Sequence, residues 1–216
     1  MPLMPRFPRL PLLAVVCLSL ATTACKKDTI TPAATGLQVQ AHDQNAMMKI
    51  MHDMMNQMNA IVGTMDPDND YALMMKAHHT GAINMANKEL AAGTDATIKA
   101  MAQRMITAQQ AEITQFNAFL AAHQAQAPMV MEFMDRAMKT MEVMDRNNDI
   151  RVLTGNADRD FAQLMIDHHT SAVDMSRDLL ELGRENTTRT LARQIIADQQ
   201  MEIKELQTWL LTNKGY

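Results

Sequence analysis

The chain has 216 residues, 47% of them hydrophobic but only 4% aromatic, with 24 acidic and 20 basic side chains for a formal charge of −4. That length fits one domain or two small ones, and the apolar content is sufficient for a buried core. A weakly acidic balance with no basic run excludes a surface suited to tracking a nucleic-acid backbone. Methionine stands out: its 23 residues are several times ordinary usage and fill the place that aromatics leave empty.

Residues 1–24 read as an export signal. Arg6 and Arg9 precede the apolar run 10–20, which is too short to span a membrane. Small residues then lead to Cys25 in L-A-T-T-A-C-K-K-D, a string that resembles a bacterial lipoprotein signal, with Thr22 where leucine is usual. Lipidation at Cys25 is expected, with ordinary signal cleavage nearby as the alternative. Export places the protein in the cell envelope, and with Cys25 lipidated the lipid anchor is its sole expected membrane contact. Once the signal is removed Cys25 is the only cysteine, so no internal disulfide can form and stability must come from packing. Residues 25–41 contain Pro32 and Gly36, lack a sustained period, and read as a flexible tether.

From residue 42 onward the chain reads as helix throughout. A first helix is predicted over about 43–62, where Met47, Met51, Met54, Met58 and Ile61 recur at helical spacing. A second starts at Asp66-Pro67, an N-cap followed by proline in the first turn, and stops at Gly93. A third covers about 95–122. The set then repeats: about 129–145 with Met131, Met134, Met138 and Met141; a helix from Asn156 to Gly183; and a last one over about 187–212. No alternating β-branched run is bounded by turn signals, so strands are not expected.

The repetition is an internal duplication. A shift of 90 residues aligns 70–120 with 160–210 without a gap, and 18 of those 51 positions are identical. The expected architecture is all-α: one antiparallel four-helix bundle with pseudo-twofold symmetry over 42–216. Repeat 1 spans about 43–122 and repeat 2 about 129–212, with the Met-rich helices lying against the bundle or flanking it.

The duplicated segment D-Y-A-L-M-M-K-A-H-H-T-G-A-I-N-M (70–85) and D-F-A-Q-L-M-I-D-H-H-T-S-A-V-D-M (160–175) carries the chemistry. Residues at i, i+4 and i+7 share a helix face, so Met75, His78, Ala82 and Met85 form one stripe, and Met165, His168, Ala172 and Met175 its copy. The third helices add Gln109, Glu112, Gln199 and Glu202 on inward faces. Two readings compete. In one the layer is structural, with Glu accepting from His and Gln filling remaining valences. In the other it binds a metal, and imidazole with thioether points to copper, chiefly Cu(I). His79 and His169 sit about 100° off the stripe; they are candidate surface ligands or capping contacts, with no role as the third option. Residues 47–58 offer a secondary set, Met47, Met48, Met51, His52, Met54, Met55 and Met58. One stripe cannot bury both members of adjacent pairs such as Met47 with Met48, so an exposed methionine surface with weak Cu(I) sites is expected beside a core-filling alternative.

The compound pattern D-x-[FY]-A…M-x-x-H-H-x-x-A-x-x-M, then glycine, then Q-Q-x-E-I, resembles the bacterial ferritin-like family of unknown function that includes CopM-type copper proteins. The resemblance covers about 66–122 and 156–212. It implies a ferritin-like helical bundle, an exported location and, in some members, copper binding or tolerance. Glu-x-x-His, the di-iron motif of ferritin-like bundles, is absent, as are H-E-x-x-H, G-x-S-x-G and phosphate-loop motifs. The acidic strings at 66–70 and 145–149 lack the glycine and glutamate of a calcium loop, so helix capping is the better account. The expectation is therefore a non-catalytic, exported copper-binding protein. Gln109, Glu112, Gln199 and Glu202 support His78, His79, His168, His169 and the stripe methionines Met75, Met85, Met165 and Met175. A non-metal envelope interaction module using the Met-rich helix is the alternative, and a copper redox enzyme a weaker one.

Overall fold

A computed structural model describes residues 38–214, and among them the structure is helical without strands. The signal segment, Cys25 and all of the tether before residue 38 lie outside these residues. After a 3-10 turn at His42–Gln44 come six helices: α1 (Ala46–Asn59), α2 (Pro67–Ala92), α3 (Ala96–Ala122), α4 (Glu132–Asp149), α5 (Ala157–Leu182) and α6 (Asn186–Thr212). No described helix is long and apolar enough to cross a membrane. Gln40 donates its backbone N–H to the Leu153 carbonyl at 2.8 Å, so the end of the expected tether is already fastened to the helical body.

The helix starts follow from side-chain caps. Asp66 accepts from Asp68 N and Asn69 N with Pro67 in the first turn of α2, and Asn156 accepts from Arg159 N to open α5. The acidic string at 145–149 does not cap anything; it forms the last turn and a half of α4. α4 also begins later than its methionine spacing implies: Met131 is exposed outside the helix, and Val130 N donates to the Met65 carbonyl at 2.7 Å. Gly93 and Gly183 do end α2 and α5, yet neither is left-handed, with φ of −68° and −71°. Glycine is required there by close approach: a Cβ at 93 would collide with the Glu89 carboxyl, and one at 183 would sit 2.9 Å from Asp68 Oδ1.

The hairpins α2–α3 and α5–α6 are the tightest units, and α2 packs on α5 between them; α1 lies on α2 and α4 on α5. α2 and α5 run antiparallel, since Tyr71 meets Ser176 at one level (Oη–Oγ 2.8 Å) and His78 meets Ser171 at the next (Nε2–Oγ 2.8 Å). The 90-residue shift exchanges His78 with His168, so the pseudo-twofold axis passes between these two imidazoles.

The repeats also cap each other. Asp68 on α2 accepts from Arg184 N, Glu185 N and Thr188 Oγ1 at the start of α6, and Asp158 on α5 accepts from Thr94 N, Thr94 Oγ1 and Asp95 N at the start of α3. Each second helix thus satisfies the amides that lead into the other repeat's third helix.

The expected methionine surface does not exist. Met47, Met48, Met51, Met54, Met55 and Met58 are all buried. α1 rests in contact with α2, α4 and α5 together, so two adjacent stripes find partners rather than one. Burying each methionine contributes about 1.5–3 kcal/mol, which makes α1 part of the core and not a mobile flank.

Candidate functional site

α2 and α5 are covered on nearly every side, and this decides what happens to the histidines. The stripe Tyr71, Met75, His78, Ala82, Met85 is buried as expected, and so is Phe161, Met165, His168, Ala172, Met175. His79 and His169, expected off the core, are also wholly buried, because α3 and α6 close over the neighbouring stripe. All four imidazoles therefore occupy one enclosed centre. His78 and His168 lie nearly face to face, with ring centroids 3.6 Å apart and planes tilted by 33°.

Their hydrogen bonds define the tautomers. His168 Nε2 lies 3.0 Å from the His78 carbonyl oxygen. A carbonyl only accepts, so His168 carries its proton on Nε2. Ser171 Oγ lies 2.7 Å from the His168 carbonyl, 2.8 Å from His78 Nε2 and 3.2 Å from Met144 Sδ. With the Ser171 hydroxyl donated to the carbonyl, its oxygen accepts from His78 Nε2–H. Burial first, and then the neighbouring histidines, push both imidazoles well below their ordinary range, so both are neutral. What remains is a Nδ1 lone pair on His78 and another on His168, both buried and both without a hydrogen-bond partner.

The second histidine of each pair faces a carboxylate instead. His79 Nε2 is 2.8 Å from Glu112 Oε2, and His169 Nε2 is 2.9 Å from Glu202 Oε2. Both contacts are short but poorly aligned on the ring N–H direction, and neither ring nitrogen of His79 or His169 forms a regular hydrogen bond. Gln109 and Gln199 are buried with amide nitrogen and oxygen unpartnered. Glu112 and Glu202 thus bear on His79 and His169, not on His78 and His168 as the stripe arithmetic implied. A centre in which so many buried polar atoms go unmatched is a poor structural layer, since each unmade bond costs about 1–3 kcal/mol.

Among the described residues no group of three or more His, Cys, Asp or Glu side chains converges so as to hold a metal. A closed zinc-type cage built from such residues is not what the helices assemble. The donors these two helices carry are imidazole nitrogen and thioether sulfur: Met74, Met75 and Met85 on α2 and Met165 and Met175 on α5 are all fully buried. That donor set suits a soft ion. His52, by contrast, lies outside the centre, half-exposed and 3.4 Å from Asp149.

Two residues at the centre escaped the sequence reading, Ser171 and Met144. Ser171 stands inside the aligned segment as the polar replacement for Gly81, and Met144 is the 90-residue counterpart of Met54, which extending the alignment back from residue 70 would have found.

Fold and site together define a class: a tandem-repeat helical bundle whose copies each deliver a His-His pair to one buried polar centre. The chain belongs to the family described as Domain of unknown function (DUF305), whose model matches it twice, over residues 21–120 and 68–210. Among solved structures it is similar to the crystal structure of a DUF305 fragment from Deinococcus radiodurans, at 23% identity and a TM-score of 0.50, covering 67% of this chain and 95% of that one. At that identity the likeness concerns the fold. No curated protein matches the chain. None of these comparisons speaks to ferritin kinship or to copper.

Proposed function

We propose that the protein binds a soft metal ion, Cu(I) foremost, and buffers or sequesters it in the cell envelope, where the lipoprotein-like string ending at Cys25 would tether it. The observation that carries this reading is the pair of buried, unpartnered Nδ1 lone pairs on His78 and His168, each on an imidazole whose Nε2–H is already committed. A ring nitrogen anchored by its N–H to an oxygen is how proteins orient a ligating histidine. Met75, Met85, Met165 and Met175 line the same helices and provide thioether donors; His79 and His169, with Glu112, Glu202, Gln109 and Gln199, form the polar surround. CopM-type kinship, implied by the sequence resemblance, belongs to the same proposal. The role proposed is binding: the one hydroxyl set against an imidazole, Ser171, accepts from His78 Nε2–H and gives its own proton to the His168 carbonyl.

The alternative of an adaptable methionine face for a partner protein loses its footing, because the methionines of α1 are spent on the core. The test is a Cu(I) titration against a competing chelator, comparing the wild type with His78→Ala/His168→Ala while circular dichroism checks that the variant remains helical. Affinity should fall at least about 100-fold, given that even the outer partners of metal ligands contribute about 10–100-fold. Negligible affinity in both proteins would sink the proposal.

A further inference from the structure

The buried centre is approached by two surface grooves that the duplication relates to each other. One groove, between α4 and α5, has a volume of about 300 Å³; the other, between α1 and α2, about 170 Å³. All six residues lining the smaller groove (Ile50, Asp53, Met54, Gln57, Gly81 and Asn84) map through the 90-residue shift onto residues lining the larger one. The twins therefore share an architecture, a methionine on the Met-rich helix facing one position on the histidine helix.

They differ at that position. In the smaller groove Gly81 lets Met54 press against α2, so closely that a Cβ on residue 81 would overlap the Met54 sulfur. Nothing polar links Met54 to His168 on that side, and the His168 N–H turns to the His78 carbonyl instead. In the larger groove Ser171 occupies the equivalent place. Its hydroxyl oxygen is 3.2 Å from Met144 Sδ and 2.8 Å from His78 Nε2, and both Met144 and Ser171 line the groove floor. A polar path of sulfur, hydroxyl and imidazole thus runs from that groove to the histidine pair. No such path runs from its twin.

We propose that the α4–α5 groove is the single entry for a soft monovalent cation to the histidine centre, with Met144 the first sulfur it meets and Ser171 the step to the His78 ring, whose Nδ1 lone pair, and not the Nε2–H that faces the hydroxyl, receives the ion. This rests on the metal-binding reading above. Met144 and Ser171 are only 2% and 3% exposed, so the sulfur is reached from the groove floor and not from open solvent. A thioether there selects for soft ions and stays neutral at every pH, and the hydroxyl offers a second, weaker donor.

Silver ion is the probe, being soft, monovalent and stable in air. The protein spanning residues 26–216, labelled with 13C at its methionine methyl groups, is titrated with silver nitrate, and association is followed by stopped flow for the wild type, Met144→Leu and Met54→Leu. Leucine for methionine conserves volume and should leave the fold in place, at a cost under about 1.5 kcal/mol. The Met144 methyl resonance should shift with the first silver equivalent. Association should slow about tenfold in Met144→Leu, comparable to losing a supporting metal contact, and stay within about twofold of wild type in Met54→Leu. If wild type binds silver and the two leucine variants associate at its rate, or at equally reduced rates, the entry route is overturned while the metal centre stands. If wild type binds no silver, the centre itself fails and the route with it.

Discussion

At the scale of single residues, the duplication is most informative where its copies disagree. Glu89 is wholly buried at the end of α2, whereas its counterpart is Leu179. Neither Glu89 oxygen has a well-aligned hydrogen bond. Burial first, then the neighbouring Asp158 carboxylate, push its carboxyl up to about 8 from an ordinary value of 4.5. Asp158 moves the other way: burial works against its charge, but the amides of Asp95 and Thr94 and the Glu89 proton hold it low. The folded protein therefore keeps a proton on Glu89 that the unfolded chain releases between about 4.5 and 8. Its contribution to stability is full below the lower value and is lost as pH rises through the upper one. Urea midpoints of the wild type should accordingly fall between pH 5 and 8.5 more steeply than those of Glu89→Leu, which copies the second repeat. Parallel pH profiles for the two proteins would refute the assignment.

At the scale of elements, the helices borrow their caps from one another. Glu185 precedes α6 but makes no side-chain cap; Asp68 of the other repeat instead holds the chain as it enters α6, accepting from the Arg184 and Glu185 amides and the Thr188 hydroxyl. Asp68→Ala should cost about 1–2 kcal/mol, the range of a lost cap, because the Arg184 and Glu185 amides lose their acceptor while the Thr188 hydroxyl keeps the Glu185 carbonyl. Hydrogen exchange should quicken first in the opening turn of α6, more than 100 residues away in sequence. Quickening confined to α2 would show that the cap is unimportant. Asp158 stands in the same relation to α3, which also has its own cap in Asp95, so Asp158→Ala should cost less. The asymmetry between two otherwise equivalent aspartates is the sharper form of the prediction.

At the scale of the whole molecule, each repeat is incomplete. The α2 face carrying Tyr71 and His78 is covered by α5, and the starts of α3 and α6 are satisfied across the repeat boundary. A fragment of residues 38–122 would expose that face and strand the α3 amides that Asp158 serves. It should show no cooperative urea transition as a monomer, whereas residues 38–216 should unfold in one step. A cooperatively folded monomeric fragment would mean that the pairing of α2 with α5 adds little.

How much was legible beforehand follows from which physical rules are local. Helix identity, the Asp66 and Asn156 starts, the Gly93 and Gly183 stops and the inward stripe with His78 and His168 all stand in the sequence, because capping and 3.6-residue periodicity act within a few turns. The duplication is equally plain, and the pseudo-twofold follows from it. Burial of a second stripe was not legible. His79, His169 and the adjacent methionines of α1 are inside because α2, α5 and α1 each meet several neighbours, and periodicity describes one face at a time. The chain by itself determined that two His-His segments would lie on facing helices of one bundle. Only the tertiary structure decided that His78 and His168 stack on its axis with free Nδ1 lone pairs, that Glu112 and Glu202 lie against the other two histidines, and that Met144 and Ser171 line the groove between α4 and α5, since these depend on distances between helices that no local rule sets.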